Sequence, residues 1–337
     1  MRPLSVLILA AALASSTALA DDGAASISAG GIVMTREPRI TMAKEVLTIS
    51  ENKVIVDYDF RNDNDADITT EVAFPIPDYD LDMGSISPSD QGFDDFKLWV
   101  DQKPVHYSTE AKAFLNGQDY SALLNSMGID IASYGHSTDN DTQPQIQKLS
   151  TTQKERLAKA GLIDKVDGQF AGANWKVRKK YYWTQTFPAH ATVHIRHEYT
   201  PALGSFNSIA YGTLLTTGKA NKDDYELVSV CPTTEVLSAL RKDAQHPHHL
   251  VSIAYVDFIL TTANTWKHPI EDFTLNFERP PLDKDPNHPD TGVNYVSLCW
   301  DGPVEKIDAN HFRAHKTNFV PSKELRIGFL QGYLMGD

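Results

Sequence analysis

The amino-acid sequence predicts a mainly β protein, built of antiparallel β-sandwich regions interrupted by a helical insertion. Three observations carry that prediction. Apolar and polar residues alternate with period two in the N-terminal third and again after Trp175, the mark of strands with one buried face. Between those regions, residues 109–172 switch to helix-like spacing. The composition of 337 residues, with Gly 19, Pro 18, Phe 14 and Tyr 13, leans toward loop-rich β structure. That length allows two domains of ordinary size or one large one.

Residues 1–20 read as an address. Met1-Arg2-Pro3 supplies a positive charge, Leu4 to Ala14 is apolar apart from Ser5, and Ala18-Leu19-Ala20 ends in small residues. This is the order of a secretory signal peptide, with cleavage after Ala20. The apolar run is shorter than the roughly 20 residues a membrane-spanning helix needs. A periplasmic or secreted protein with no transmembrane segment after signal cleavage is expected.

Residues 21–108 form the predicted N-terminal β-sandwich region. Val54, Val56, Tyr58 and Phe60 alternate with Ile55, Asp57, Asp59 and Arg61. Ile68, Thr70, Val72, Phe74 and Ile76 make a second strand, and Phe96, Leu98 and Val100 a third. Ser50-Glu51-Asn52, Asn62 to Asp67 and Asp101 to Pro104 supply the turns. Strands joined this closely imply an antiparallel meander.

Residues 109–172 form the predicted helical insertion. Ala113, Phe114, Ala122, Leu123 and Leu124 follow helical spacing, with Gly117 splitting the segment into two short helices. Gly128 to Gln147 is polar and irregular. Thr152-Gln153-Lys154-Glu155 then reads as a capping box, ahead of Leu157 and Ala158 and with Gly161 as the stop.

Residues 173–337 form the predicted C-terminal β region. Ala191, Val193, Ile195, His197 and Tyr199 alternate with polar neighbours, and Leu250 to Thr262 is apolar on both faces, as a central strand requires. Phe273, Leu275 and Phe277, Val293 to Trp300, His311 to Lys316 and Leu325 to Leu330 supply further strands. Thr233 caps a short helix that turns Val236, Leu237 and Leu240 inward. The sequence holds two cysteines, Cys231 and Cys299, each in a strand-like run. Export makes one disulfide the simplest reading, with a buried thiol pair or a redox couple as alternatives; no C-x-x-C supports the last. Closing a loop of about 70 residues would remove roughly 4 kcal/mol of unfolded-state freedom.

The segments "KVIVDYDFRN", "DITTEVAFPIP", "TFPAHATVHIRHEYTP", "YVDFILTTANTWKHPIEDFTLNFE" and "VNYVSLCWDG", in this order, resemble the bacterial domain-of-unknown-function 4424 family of exported proteins. The resemblance covers about residues 23 to 331. It implies an exported, mostly β protein without an assigned activity, and it brings no catalytic residues. The N-terminal part is also similar, at the level of fold, to the vault/inter-α-trypsin type of β-sandwich.

Lys plus Arg number 31 against 44 Asp plus Glu, a formal charge of −13, which repels phosphate backbones and excludes nucleic acid as a natural partner. His194-Ile195-Arg196-His197-Glu198 inverts the zinc-protease order and alternates as a strand, so its two histidines point to opposite faces. That makes His197 a hydrogen-bonded core histidine and His194 a surface one. His246, His248 and His249 precede the central strand, and antiparallel reasoning returns His288 to the same edge. Imidazole with nearby carboxylates suits a divalent metal or a histidine pH switch; two solvated loops are the plainer reading. Asp63, Asp65 and Asp67 have D-x-D-x-D spacing, as do Asp78, Asp80 and Asp82. Neither run has the Gly and Glu of an EF-hand, so they read as irregular calcium loops or as polar hairpin ends. Trp175, Tyr181, Tyr182 and Trp183 suit stacking on a sugar or peptide, or simply the core.

No G-x-S-x-G, phosphate loop or nucleophilic cysteine arrangement occurs. The function expected is that of an exported, non-catalytic binding or interaction protein that requires no cofactor. Its partner would be a protein or an envelope component. Two alternatives stand beside it: a cell-envelope hydrolase using carboxylates or metal, and a metal- or pH-responsive periplasmic protein.

Overall fold

The computed structural model describes residues 22–28, 31–80, 85–86, 95–133, 144–166, 168–201, 203–209, 225–243, 249–279 and 293–334. The predicted leader and the loop Pro280 to Gly292 lie outside them. Up to residue 119 the described residues are mostly strand: β1 (Gly23–Ser28), β2 (Gly31–Met34), β3 (Ile40–Ile49), β4 (Val54–Asn62), β5 (Ile68–Pro75), β6 (Tyr79–Asp80), β7 (Ser85–Ile86), β8 (Lys97–Val100), β9 (Lys103–Pro104), β10 (Ser108–Leu115) and β11 (Gln118–Asp119). Three short helices follow, α1 (Ser121–Ser126), α2 (Pro144–Gln147) and α3 (Thr151–Lys159), then a ribbon of β12 (Asp164–Val166) and β13 (Gln169–Ala171). Long strands resume with β14 (Lys176–Phe187), β15 (Ala191–Tyr199) and β16 (Leu203–Ile209). Helices α4 (Tyr225–Ser229) and α5 (Thr234–Asp243) lead into β17 (His249–Phe258), β18 (Ile270–Glu278), β19 (Val293–Leu298), β20 (Glu305–Lys306), β21 (His311–Phe319) and β22 (Leu325–Leu334).

Three sheets organise these strands. The first runs β11-β10-β14-β5-β1-β2, with β6 also paired to β14; the second runs β20-β21-β18-β3-β4-β15-β8-β9; the third runs β19-β22-β17-β16-β7. Strands from residues 21–108 and 173–337 therefore interleave within single sheets. The pairing of β18 with β3 is parallel, the register running Asp272 with Lys44 to Phe277 with Ile49. A parallel pair needs a long crossover, which the chain supplies by sending β18 back beside a strand more than 200 residues earlier.

The first two sheets pack face to face through aromatic side chains. Phe60 of β4 meets Phe187 of β14 at 5.8 Å between ring centroids, and Phe74 of β5 meets His197 of β15 at 4.8 Å. The alternation read for β4 is the observed one, with Val54, Val56, Tyr58 and Phe60 all at zero exposure. A smaller core joins Leu227, Val230 and Leu240 of the α4–α5 segment to Ile253 and Leu330 of the third sheet. Thr233 Oγ accepts from the Val236 amide at 3.3 Å, as a cap does.

Four local expectations are corrected. Thr109 to Leu115 is strand, not helix: β10 pairs with β14 from Ser108 opposite Tyr182 to Phe114 opposite Lys176. Asn116 and Gly117, at φ 51° and 80°, make the tight turn into β11 that two successive left-handed residues allow. The helix forms only from Ser121, with Leu124 buried. The capping box starts at Ser150 rather than Thr152; Ser150 Oγ accepts from the Gln153 amide and Gln153 Oε1 accepts from the Ser150 amide at 2.9 Å. Tyr225 to Ser229 is helical, so Cys231 follows a helix and not a strand. The central strand stops at Phe258, and Thr261–Thr265 is a 3₁₀ turn.

Candidate functional site

A small recess of about 70 Å³ lies where the three sheets converge. The first sheet contributes Ile76, Pro77, Asp78 and Tyr79 from the end of β5 into β6, with Tyr181 from β14. The second contributes Tyr199 at the end of β15, and Pro201 follows. The third contributes Gly204 of β16 and Tyr255 and Asp257 of β17. The prolines explain this location. Proline cannot donate to a ladder, so the chain leaves the sheets at Pro77 and Pro201 and exposes strand ends there. Thr200 is held in place by Asp95, whose carboxylate accepts its amide at 2.8 Å.

Each lining carboxylate is clasped by its own arginine. Arg178 donates to Asp78 through Nε at 3.0 Å and Nη2 at 2.8 Å, and its guanidinium lies 4.2 Å from the Phe114 ring centroid. Arg326 donates to Asp257 through Nε at 2.6 Å and Nη2 at 2.7 Å, and lies 4.1 Å from the Tyr255 ring centroid. These hydrogen bonds raise the pKa of both arginines above the ordinary value. Two planar ion pairs, each stacked on an aromatic ring, thus flank the cleft. Opposite Gly204 in the β16–β17 register stands Tyr255, whose ring folds across the space a Cβ would take.

The described lining holds two carboxylates, Asp78 and Asp257, and four tyrosines, Tyr79, Tyr181, Tyr199 and Tyr255. Tyr181, read as a stacking or core residue, does both: its ring stacks on Phe96 at 4.1 Å while its edge reaches the cleft. Trp175 and Trp183 are core residues, at 0% and 4% exposure.

The other candidates are dispersed. Asp63 pairs with Arg61 at 2.8 Å, Asp65 meets His190 Nε2 at 3.0 Å, and Asp67 accepts from the Ala189 amide at 2.9 Å. Each carboxylate of that run points to a different partner. Among the described residues no group of three or more His, Cys, Asp or Glu is arranged to hold a metal ion. His246, His248 and His288 lie outside the described residues, and His249 stands in β17 opposite Leu334. Cys231 and Cys299 are joined, with Cα atoms 5.1 Å apart. His194 sits on the surface between Asp59 at 3.0 Å and Asp57 at 3.3 Å. His197 faces the core as expected, but neither ring nitrogen makes a hydrogen bond; its Nε2 lies 3.4 Å from the Asp22 carboxylate instead. Tyr79, Tyr199, Tyr255 and Asp257 were not legible as a site. The signal that marks two of them is proline beside tyrosine at strand ends, in Pro77-Asp78-Tyr79 and Tyr199-Thr200-Pro201.

Fold and cleft together define a mainly β protein with an open, tyrosine-lined recess at the junction of its sheets. The chain belongs to the family described as a domain of unknown function (DUF4424), whose profile matches residues 20–327. No curated protein matches the sequence. Among solved structures it is similar to a Legionella pneumophila subsp. pneumophila protein provisionally named as nutrient binding, at 16% identity and a TM-score of 0.39, covering 92% of this chain and 72% of that one. Among the described residues no helix is long and apolar enough to cross a membrane.

Proposed function

We propose that the protein is exported and acts as a non-catalytic binding protein, with the tyrosine-lined cleft as its site. The observation that carries this reading is the pair of Asp–Arg clasps, each braced by an aromatic ring, that two different sheets bring to one recess. Polar groups already held in place are what a preorganised binding site needs. The leader sequence and the Cys231–Cys299 bridge support export, because disulfides persist in oxidising compartments. The test is a thermal-shift and calorimetric screen of the mature protein against small-molecule classes, repeated with Tyr255→Ala, which removes one side chain of the lining. A ligand that stabilises the wild type and not the variant supports the reading. Binding that survives the variant moves the site elsewhere, and turnover of a bound compound overturns the non-catalytic assignment.

A further inference from the structure

We propose that the Cys231–Cys299 bridge is a thiol–disulfide exchange site that an external dithiol opens in the folded protein, entering at the sulfur of Cys231. The site is independent of the cleft. Access decides which sulfur of a disulfide is attacked. Cys231 is exposed, whereas Cys299 is half-buried. Cys299 continues the β19 ladder, its amide donating to the Arg326 carbonyl at 3.0 Å. The Ser229 carbonyl oxygen lies 3.3 Å from the Cys299 sulfur. An incoming thiolate therefore meets Cys231 first.

The backbone also sets Cys231 apart. Its φ is 51°, in the left-handed region that glycine usually fills after a helix. Its amide donates to the Val228 carbonyl at 3.0 Å, closing the last turn of α4, and α5 begins shortly after, at Thr234. A residue with a side chain carries backbone strain in that region, and the bond to Cys299 holds Cys231 there. Opening the bond lets the residue relax. Exposed or strained disulfides are the labile ones.

The opened form keeps its fold. The Ser229 carbonyl oxygen already stands where the Cys299 thiol can donate to it. Leu227, Val230 and Leu240 stay packed on Ile253 and Leu330. Val230 lies directly on β22, since a Cβ added at Gly328 would come within 2.5 Å of the Val230 Cβ. The two thiols thus remain neighbours. Because the bridge restrains the unfolded chain, the closed form is the resting state.

The exchange balances as two displacements. One thiolate of the dithiol bonds to Cys231 Sγ. The Cys231–Cys299 bond breaks with its electron pair on Cys299 Sγ, which takes up a proton. The second thiolate of the dithiol then displaces Cys231 from the mixed disulfide. Two electrons and two protons pass to the protein, and the dithiol leaves as a disulfide.

The experiment treats the mature protein with dithiothreitol under native conditions and blocks free thiols with iodoacetamide. Both cysteines are expected to carry the label while circular dichroism and tryptophan fluorescence stay native. Oxidised glutathione is then expected to re-form the bridge in unlabelled protein. Reduced glutathione, a monothiol, traps the first step, and its adduct is expected on the Cys231 peptide. Cys299→Ser leaves Cys231 free and should react with oxidised glutathione about tenfold faster than Cys231→Ser does. The wild-type adduct decides the point if either variant folds poorly. A bond that opens only as denaturant unfolds the protein overturns the exchange site. An adduct on Cys299, or equally on both cysteines, overturns entry at Cys231.

Discussion

His197 Nε2 lies 3.4 Å from the carboxylate of Asp22, and neither side chain has any exposed surface. The pair joins the start of the described chain to the middle of β15. Tyr58 and Trp266 complete the anchorage: the Asp22 amide donates to the Tyr58 hydroxyl at 3.4 Å, and Trp266 Nε1 donates to the Asp22 carbonyl at 2.6 Å. From that point β1 enters the first sheet between β5 and β2, so Asp22 stitches the two sheets together.

The histidine makes stability depend on pH. Enclosure among Tyr58, Phe74, Phe96 and Trp183 pushes its pKa from 6.5 down to about 3, because a buried ring resists taking charge. The unfolded chain therefore binds a proton between pH 6.5 and 3 that the folded chain refuses. Stability from this group is complete above pH 6.5 and falls as pH drops, by roughly 3 kcal/mol at pH 4. Denaturant unfolding across that range measures the slope. His197→Gln should flatten it by about one proton; an unchanged slope would refute the assignment.

The leader pattern in the sequence predicts that the mature chain begins just before Asp22. Cleavage after Ala20 leaves Asp21 as the first residue, one position before the buried anchor. Mass spectrometry of the exported protein should find that terminus. A version starting at Gly31 loses β1 and its pairing with β5 at Gly23 to Ala25, and with it the buried Ala24 and Ala25. It should unfold at a clearly lower temperature than the version starting at Asp21, and equal melting temperatures would show that β1 contributes little.

Reduction of the disulfide should be costly for a different reason. Cys231 and Cys299 are 68 residues apart, and opening a loop of that length returns roughly 4 kcal/mol of freedom to the unfolded chain in the chain-entropy model. Cys231→Ala with Cys299→Ala should lower stability by about that amount without disturbing the cleft. Its ligand affinity, measured well below the melting temperature, should match the wild type.

Much of the sandwich was legible because its signals are local. The period of β4 reports its own burial directly. For β5 the alternation fails after Val72, since Ala73 and Pro75 are buried too. The face expected to meet water is covered by β1 and β2, which pack Ala25, Ile32 and Ala73 together. That covering comes from strands paired across more than 40 residues, which period alone does not reveal. In β10, Ala111-Lys112-Ala113-Phe114-Leu115 satisfies both periods, and Asn116-Gly117 was the deciding turn signal. Tyr225 to Ser229 is too short for its period to separate helix from strand. The cleft draws on positions from Ile76 to Asp257 across three sheets. Neighbours so far apart are set by sheet order rather than by any local pattern.

Gly204 tests that sheet-level geometry. It lies opposite Tyr255 in the β16–β17 register, and a methyl group added there would fall within the Tyr255 ring. Its backbone does not require glycine by conformation; the requirement is the space that the ring occupies. Tyr255 is itself held from the other side by Arg326, which is committed to Asp257. The ring therefore cannot yield without moving the guanidinium and loosening the carboxylate clasp. Gly204→Ala should cost about 1–3 kcal/mol, as overpacking does, and should weaken ligand binding together with stability. Adding Tyr255→Ala relieves the clash. The double variant should recover stability relative to the sum of the two single changes, but not affinity, because the wall of the cleft is then missing. Additive stability losses would show that Gly204 and Tyr255 do not share the contact.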